Sequence, residues 1–169
     1  MERIATEIEG CYVIESKRWP DARGFFQEMY TANGHDVDPA RQVSWSSSHQ
    51  RVVRGIHQSP YYKLCTCVSG RLWEVAVDLR PESPTYMKVA STWLEAGVPR
   101  QFLVPAGCGH GFFSAEDDTT LIYLQGGCFY EHSGQEYRWN DPAFAIEWPP
   151  CESYIVSEKD SSAALFGKI

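Results

Sequence analysis

The chain has 169 residues, of which 43% are hydrophobic and 14% aromatic, and 22 acidic against 15 basic side chains give it a net charge of −7. That length suits one domain with its own core, and the acidic balance argues against a nucleic-acid or anionic-membrane surface, since either needs a basic face. The N-terminal MERIATEIEG has no leader-like apolar core and no run of about 18 apolar residues follows it, so a soluble, cytoplasmic protein is expected.

In chain order, DARGFFQEMY (21–30) offers Arg23, Phe26 and Glu28, a cation and an aromatic suited to gripping a phosphate and stacking on a base. QVSWSSS (42–48) is polar enough for a strand facing a hydrated cavity. RGIHQSPYYKL (54–64) crowds Arg54, His57 and Lys63 at the edge of a strand. A lone His there is more often a hydrogen-bonded structural residue than a reactive one.

KLCTCVSGRLWEVAVDLR (63–80) reads as two strands split by Ser69 and Gly70. In the second, Glu74 and Asp78 alternate with apolar neighbours and point to solvent or a polar cavity. VASTWLEA (89–96) is another strand between turns, and QFLVP (101–105) a short one. In GCGHGF, glycines surround His110, as in a loop that lines a pocket. TTLIYLQGGCFYE (119–131) is a strong strand whose Gly126 and Gly127 mark a bulge or bend, with Tyr123 and Tyr130 beside them. FAIEWP (144–149) adds a short strand, SEKD (157–160) carries Asp160, and only SSAALFGKI (161–169) suggests a helix. Short strands with regular turn signals predict one all-β sandwich or barrel over residues 1–169.

The six cysteines are scattered and form no CxxC pair, so reduced thiols are expected rather than disulfides or a zinc cluster. PAGCGH fits the PxGxxH pattern of cupins, whose His is often a metal ligand, but RGIHQSPYYKL supplies one His where a metal-binding cupin has HxH.

Taken together and in order, DARGFFQE, QVSWSSS, RGIH, KLCTCVSG, VAVDLRPESPTY, VPAGCGHGF, the Tyr-bearing strand, WNDP and SEKD resemble the dTDP-4-dehydrorhamnose 3,5-epimerase family over nearly the whole chain. The resemblance implies a cupin-type β-jelly roll (a double-stranded β-helix) with short helical pieces near the C-terminus. It implies a homodimer using neither metal nor organic cofactor. Its substrate would be a nucleotide-linked, dTDP-type 4-keto-6-deoxyhexose, epimerised at carbon 3 and often also carbon 5.

Carried over by motif, His57 is the base, Asp160 orients it, Lys63 stabilises the enolate and a Tyr is the acid. Counting from Tyr123 without a gap lands on Phe129, one residue short of Tyr130, and the slip assigned to the Gly pair selects Tyr130. Arg23, Phe26, Glu28, Gln42 and Arg54 would hold the nucleotide, partly across subunits, and His110 the sugar. The chain departs from the family at Ser44 (usually Asn), at Arg51 and Met87 (commonly Gly), in a short 57–63 turn, and in a displaced Glu for which Gln135 or Glu136 stand. A metal-dependent cupin enzyme and a non-catalytic sugar-nucleotide-binding cupin are the alternatives.

Overall fold

A computed structural model describes residues 1–31, 33–35, 37–131 and 134–167. Alternating, β-branched and aromatic segments form thirteen strands: β1 Glu2–Ala5, β2 Tyr12–Glu15, β3 Arg18–Asp21, β4 Gly24–Gln27, β5 Gln42–Ser48, β6 Val52–Gln58, β7 Lys63–Ser69, β8 Arg71–Val77, β9 Val89–Glu95, β10 Arg100–Val104, β11 Gly109–Ser114, β12 Thr119–Gln125 and β13 Ile155–Val156. One short helix, α1 Glu158–Ser162, follows. A six-stranded sheet in the order β1-β2-β10-β7-β12-β5 faces a five-stranded sheet in the order β13-β6-β11-β8-β9, which makes the cupin-like jelly roll. No helix among the described residues is long and apolar enough to cross a membrane.

Between the sheets, Leu72, Leu94, Phe102, Phe112 and Leu121 close a core with no more than 2% exposure at each. The outer face of the second sheet is covered as well. Ile56, Val75, Val77 and Leu79 pack there against Tyr137, Phe144, Trp148 and Phe166 of the C-terminal segment. This double coverage explains why β8, after Arg71 at its start, is apolar on both faces except at the fully buried Glu74.

Three expectations need correction. His110 lies in strand β11 rather than in a glycine loop. A Cβ on Gly109 or Gly111 would come within 2.5 or 2.7 Å of the Ile56 side chain, so these glycines serve close strand packing. Residues 144–149 form no strand. Phe144 and Trp148 instead lie across the sheet, with Pro149 and Pro150 unable to donate to a ladder. The helix begins at Glu158, earlier than expected, because Ser157 caps it by accepting the Asp160 N–H at 3.1 Å. Residues 168–169 lie outside the described residues. All six cysteines are free thiols.

Arg51 and Met87 adopt φ of 69° and 64°, left-handed conformations that suit glycine. Arg51→Gly is expected to raise stability by about 0.5–1 kcal/mol, the relieved strain outweighing the added unfolded-chain entropy. Phe102→Ala is expected to lower it by about 3–5 kcal/mol. Urea denaturation followed by tryptophan fluorescence measures both, and equal midpoints for Arg51→Gly and wild type would remove the strain argument.

Candidate active site

The inner faces of β5, β6, β7, β11 and β12 enclose a cavity of about 350 Å³. On the first sheet the period-2 alternation of β5 turns Gln42, Ser44 and Ser46 into it and leaves Val43 and Trp45 exposed on the outside. Tyr123 and Gln125 of β12 line the same wall. Gln125 Oε1 accepts from Ser44 Oγ at 3.2 Å, and the Tyr123 hydroxyl and Ser46 Oγ are hydrogen-bonded at 2.9 Å. Burial pushes the Tyr123 phenol pKa up, opposed by the Ser46 hydrogen bond.

The second sheet brings His57 from β6 and His110 from β11, which pair directly across the ladder. Behind His57, the Asp160 carboxylate is buried, and its Oδ1 lies 2.8 Å from His57 Nε2 while its Oδ2 accepts the Gly55 N–H at 3.1 Å. The C-terminal segment makes this contact possible. β13 runs parallel to β6 at Val52 and Val53, and α1 starts two residues later with Asp160 in its first turn. Gly55 is required there: with φ of 124°, a Cβ would meet Gly111 Cα at 2.7 Å and His110 O at 2.8 Å.

Lys63, the first residue of β7, is 8% exposed and makes no ion pair among the described residues. Burial lowers its ammonium pKa, with Cys65 and Glu74 nearby opposing that shift. His110 is buried, at 4% exposure, in the cavity wall. Its Nε2 lies 2.5 Å from Glu74 Oε2, and burial pulls its pKa down against the opposing influence of Glu74.

Of the ten residues singled out in the sequence, six line the cavity: His57, Lys63, Tyr130, Gln42, Arg54 and His110. Asp160 backs His57. Gln42 Oε1 accepts the Phe129 N–H at 2.8 Å, which draws the segment after β12 over the mouth, and Arg54 Nε donates to Ser48 Oγ at 3.2 Å. Tyr130 sits on that segment at 87% exposure, whereas Tyr123 points inside.

Arg23, Phe26 and Glu28 do not reach this cavity. Arg23 and Phe26 belong to a separate two-stranded ribbon, β3 with β4, and Glu28 follows it. Arg23 there is paired with Asp21 at 2.6 Å. Glu136 pairs its backbone with His57 and its carboxylate with Lys159, at a smaller opening beside the cavity. The cavity-facing strand 42–48 and a phenol at Tyr123 were among the sequence expectations, whereas the Glu74 partner of His110 and the inward Gln125 were not. The signal for Gln125 was its period-2 spacing from Tyr123 in β12.

The family model described as dTDP-4-dehydrorhamnose 3,5-epimerase matches residues 5–168. A dTDP-4-dehydrorhamnose 3,5-epimerase of Sinorhizobium fredii is 36% identical over 159 residues, covering 89% of this chain and 82% of that one. The dTDP-6-deoxy-D-glucose-3,5-epimerase of Legionella pneumophila Philadelphia 1, solved with dTDP-4-keto-L-rhamnose, superposes with a TM-score of 0.92 at 32% identity, over 97% of this chain and 92% of that one. A 3'-monoepimerase from Streptomyces bikiniensis, solved with dTDP-quinovose, gives a TM-score of 0.87 at 29% identity over 98% and 87%.

Asp160 titrates with a known sign. Burial alone would raise its pKa, but the hydrogen bond and charge of His57, the Gly55 N–H and Lys159 together bring it below the ordinary carboxylate value. A carboxyl whose folded pKa is depressed stabilises the fold above its unfolded pKa of about 3.9 and loses that contribution as pH falls through the folded value. The stability gap between wild type and Asp160→Asn is therefore expected to narrow as pH falls from about 5 to about 2. Urea titrations across that window measure it, and a constant gap would contradict the assignment.

Proposed function

The chain belongs to the dTDP-4-dehydrorhamnose 3,5-epimerase family and is an epimerase, and from that membership we propose that it inverts carbon 3 of a dTDP-linked 4-keto-6-deoxyhexose in deoxysugar biosynthesis in the cytoplasm. The observation that carries this reading is the buried Asp160 carboxylate 2.8 Å from the imidazole of His57 at the cavity wall, with the Lys63 amine inside the same cavity. His57 takes the proton next to the ketone. Asp160 fixes the ring and stabilises the imidazolium formed, as carboxylates do in other His-based sites. Lys63 faces the ketone oxygen, where a positive charge in a dry cavity favours the enolate.

Inversion requires the returning proton to arrive on the opposite face of the enolate. We assign that step to Tyr123 in preference to Tyr130. Tyr123 stands on the sheet facing His57 with its hydroxyl inside the cavity, and the Ser46 hydroxyl 2.9 Å away donates to the phenolate left by proton transfer. Tyr130, 87% exposed, would cover the bound sugar from the rim. Arg54 and Gln42 meet the nucleotide, and His110 bonds the sugar.

The assembly we propose is a homodimer in which the β3–β4 ribbon of one copy carries Arg23, Phe26 and Glu28 to the nucleotide in its partner's cavity. Exposed aromatics support this. Phe25 and Phe26 of the ribbon are 57% and 67% exposed, and Trp45 of the edge strand β5 is 71% exposed, a set that a second copy would cover.

Incubation in deuterated water with dTDP-4-keto-6-deoxyglucose, followed by NMR, tests the activity. Exchange and inversion at carbon 3 are expected, exchange at carbon 5 would add the second position, and no exchange with any keto sugar nucleotide would overturn the proposal. His57→Asn is expected to abolish exchange with the fold intact, and Lys63→Met to slow it about 10²–10³-fold. Tyr123→Phe is expected to separate exchange from inversion, retaining deuterium uptake while losing most epimerised product. The same phenotype in Tyr130→Phe alone would return the acid to Tyr130.

A further inference from the structure

Below the cavity floor, one cluster has no role in the proposed chemistry beyond the sugar contact of His110. Cys65 of β7, Glu74 of β8 and His110 of β11 are all buried, and one ligand atom from each lies within 4.8 Å of the others. Glu74 Oε2 bonds to His110, but Glu74 Oε1 is buried without any hydrogen-bond partner. An unsatisfied carboxylate oxygen at zero exposure is costly and marks a group still missing its counterpart.

We propose that Cys65, Glu74 and His110 form a site for one thiophilic divalent cation, of the Zn²⁺ class. The geometry fits. Zinc bonds of about 2.3 Å to sulfur and about 2.0 Å to nitrogen, meeting at the tetrahedral angle, set those atoms about 3.5 Å apart. Cys65 Sγ and His110 Nε2 are 3.6 Å apart. The same geometry sets nitrogen and carboxylate oxygen about 3.3 Å apart, so Glu74 must withdraw by roughly 0.8 Å from its present contact with the ring. A thiolate, a carboxylate and a neutral imidazole balance a doubly charged cation, the condition for burying all three. His110 also lines the cavity, so the site lies against it.

Binding balances as follows. Cys65 loses its thiol proton to solvent, His110 keeps its single ring proton by moving it to Nδ1, and the cation accepts lone pairs from Sγ, Nε2 and a Glu74 oxygen. One proton is released per cation bound through Sγ. The bound cation engages the Nε2 lone pair of His110 and fixes the ring in its own coordination geometry, so the sugar contact proposed for His110 is lost and turnover slows. That antagonism rests on the proposed epimerase activity, whereas the site itself does not.

Titration of the metal-free protein with Co²⁺ tests the site through its thiolate-to-cobalt charge-transfer absorption. One equivalent per chain is expected to develop the band, Zn²⁺ to displace it, and Cys65→Val to abolish it with an unchanged near-ultraviolet circular dichroism spectrum. Glu74→Gln, which keeps volume and removes charge, is expected to weaken binding at least tenfold. No band, or a band that survives Cys65→Val through Cys128 or Cys151, would overturn the site. Zinc loading is expected to slow turnover at least tenfold in wild type and not in Cys65→Val. Equal inhibition of both, or of neither, would overturn the antagonism whether or not the cobalt band is present.

Discussion

The site depends on one carboxylate. Asp160 accepts from the imidazole of His57 and from the amide of Gly55, and the two bonds together tie a C-terminal helix turn to the strand that carries the base. An ionised, buried carboxylate needs such donors to offset its desolvation. The requirement reaches outward: Gly55 must be glycine for β6 to approach β11, β13 must pair with β6 to aim α1, and Ser157 must cap the helix. Removing any of these leaves the jelly roll a core but moves the imidazole.

A second constraint is that the space between the sheets is shared by two kinds of interior. Phe102, Phe112 and Leu121 fill one part, while Gln42, Ser44, Ser46 and Gln125 line the other. Polar side chains facing inward are tolerated because they bond to one another in a chain from Gln42 through Ser44 to Gln125. The cavity is thus held open by satisfied hydrogen bonds, a stiff wall against which a sugar can be oriented. Glu74 Oε1 lacks any such partner and the buried Lys63 makes no ion pair among the described residues, which is where reactivity and metal affinity would concentrate.

Much of this was legible in the sequence. Alternation and turn residues gave an all-β fold, the ordered motifs gave family and jelly roll, and they singled out His57, Lys63 and Asp160, of which His57 meets Asp160 and shares a cavity with Lys63. The errors have physical causes. His110 looked like a loop residue because glycine spacing cannot distinguish a turn from strands in close contact. FAIEWP read as a strand because apolar residues covering a sheet resemble those within one. Glu74 was read as facing solvent or a polar cavity, since no local pattern reveals that β8 is covered on both sides. Which of the two phenols, Tyr123 or Tyr130, points into the cavity is a property of tertiary geometry that no local pattern carries. Arg51 and Met87, flagged where glycine is common, do adopt the backbone that glycine favours.

The 103-residue separation of His57 and Asp160 also governs when the site comes into being. Contacts so distant in sequence carry a large loop-closure cost and form late in folding, after the local hairpins. α1 is five residues long, so little of its own backbone bonding holds it in place. α1 is a latch strung between β13 and the packed Phe166, and amide exchange at Gly55 distinguishes its local opening from global unfolding.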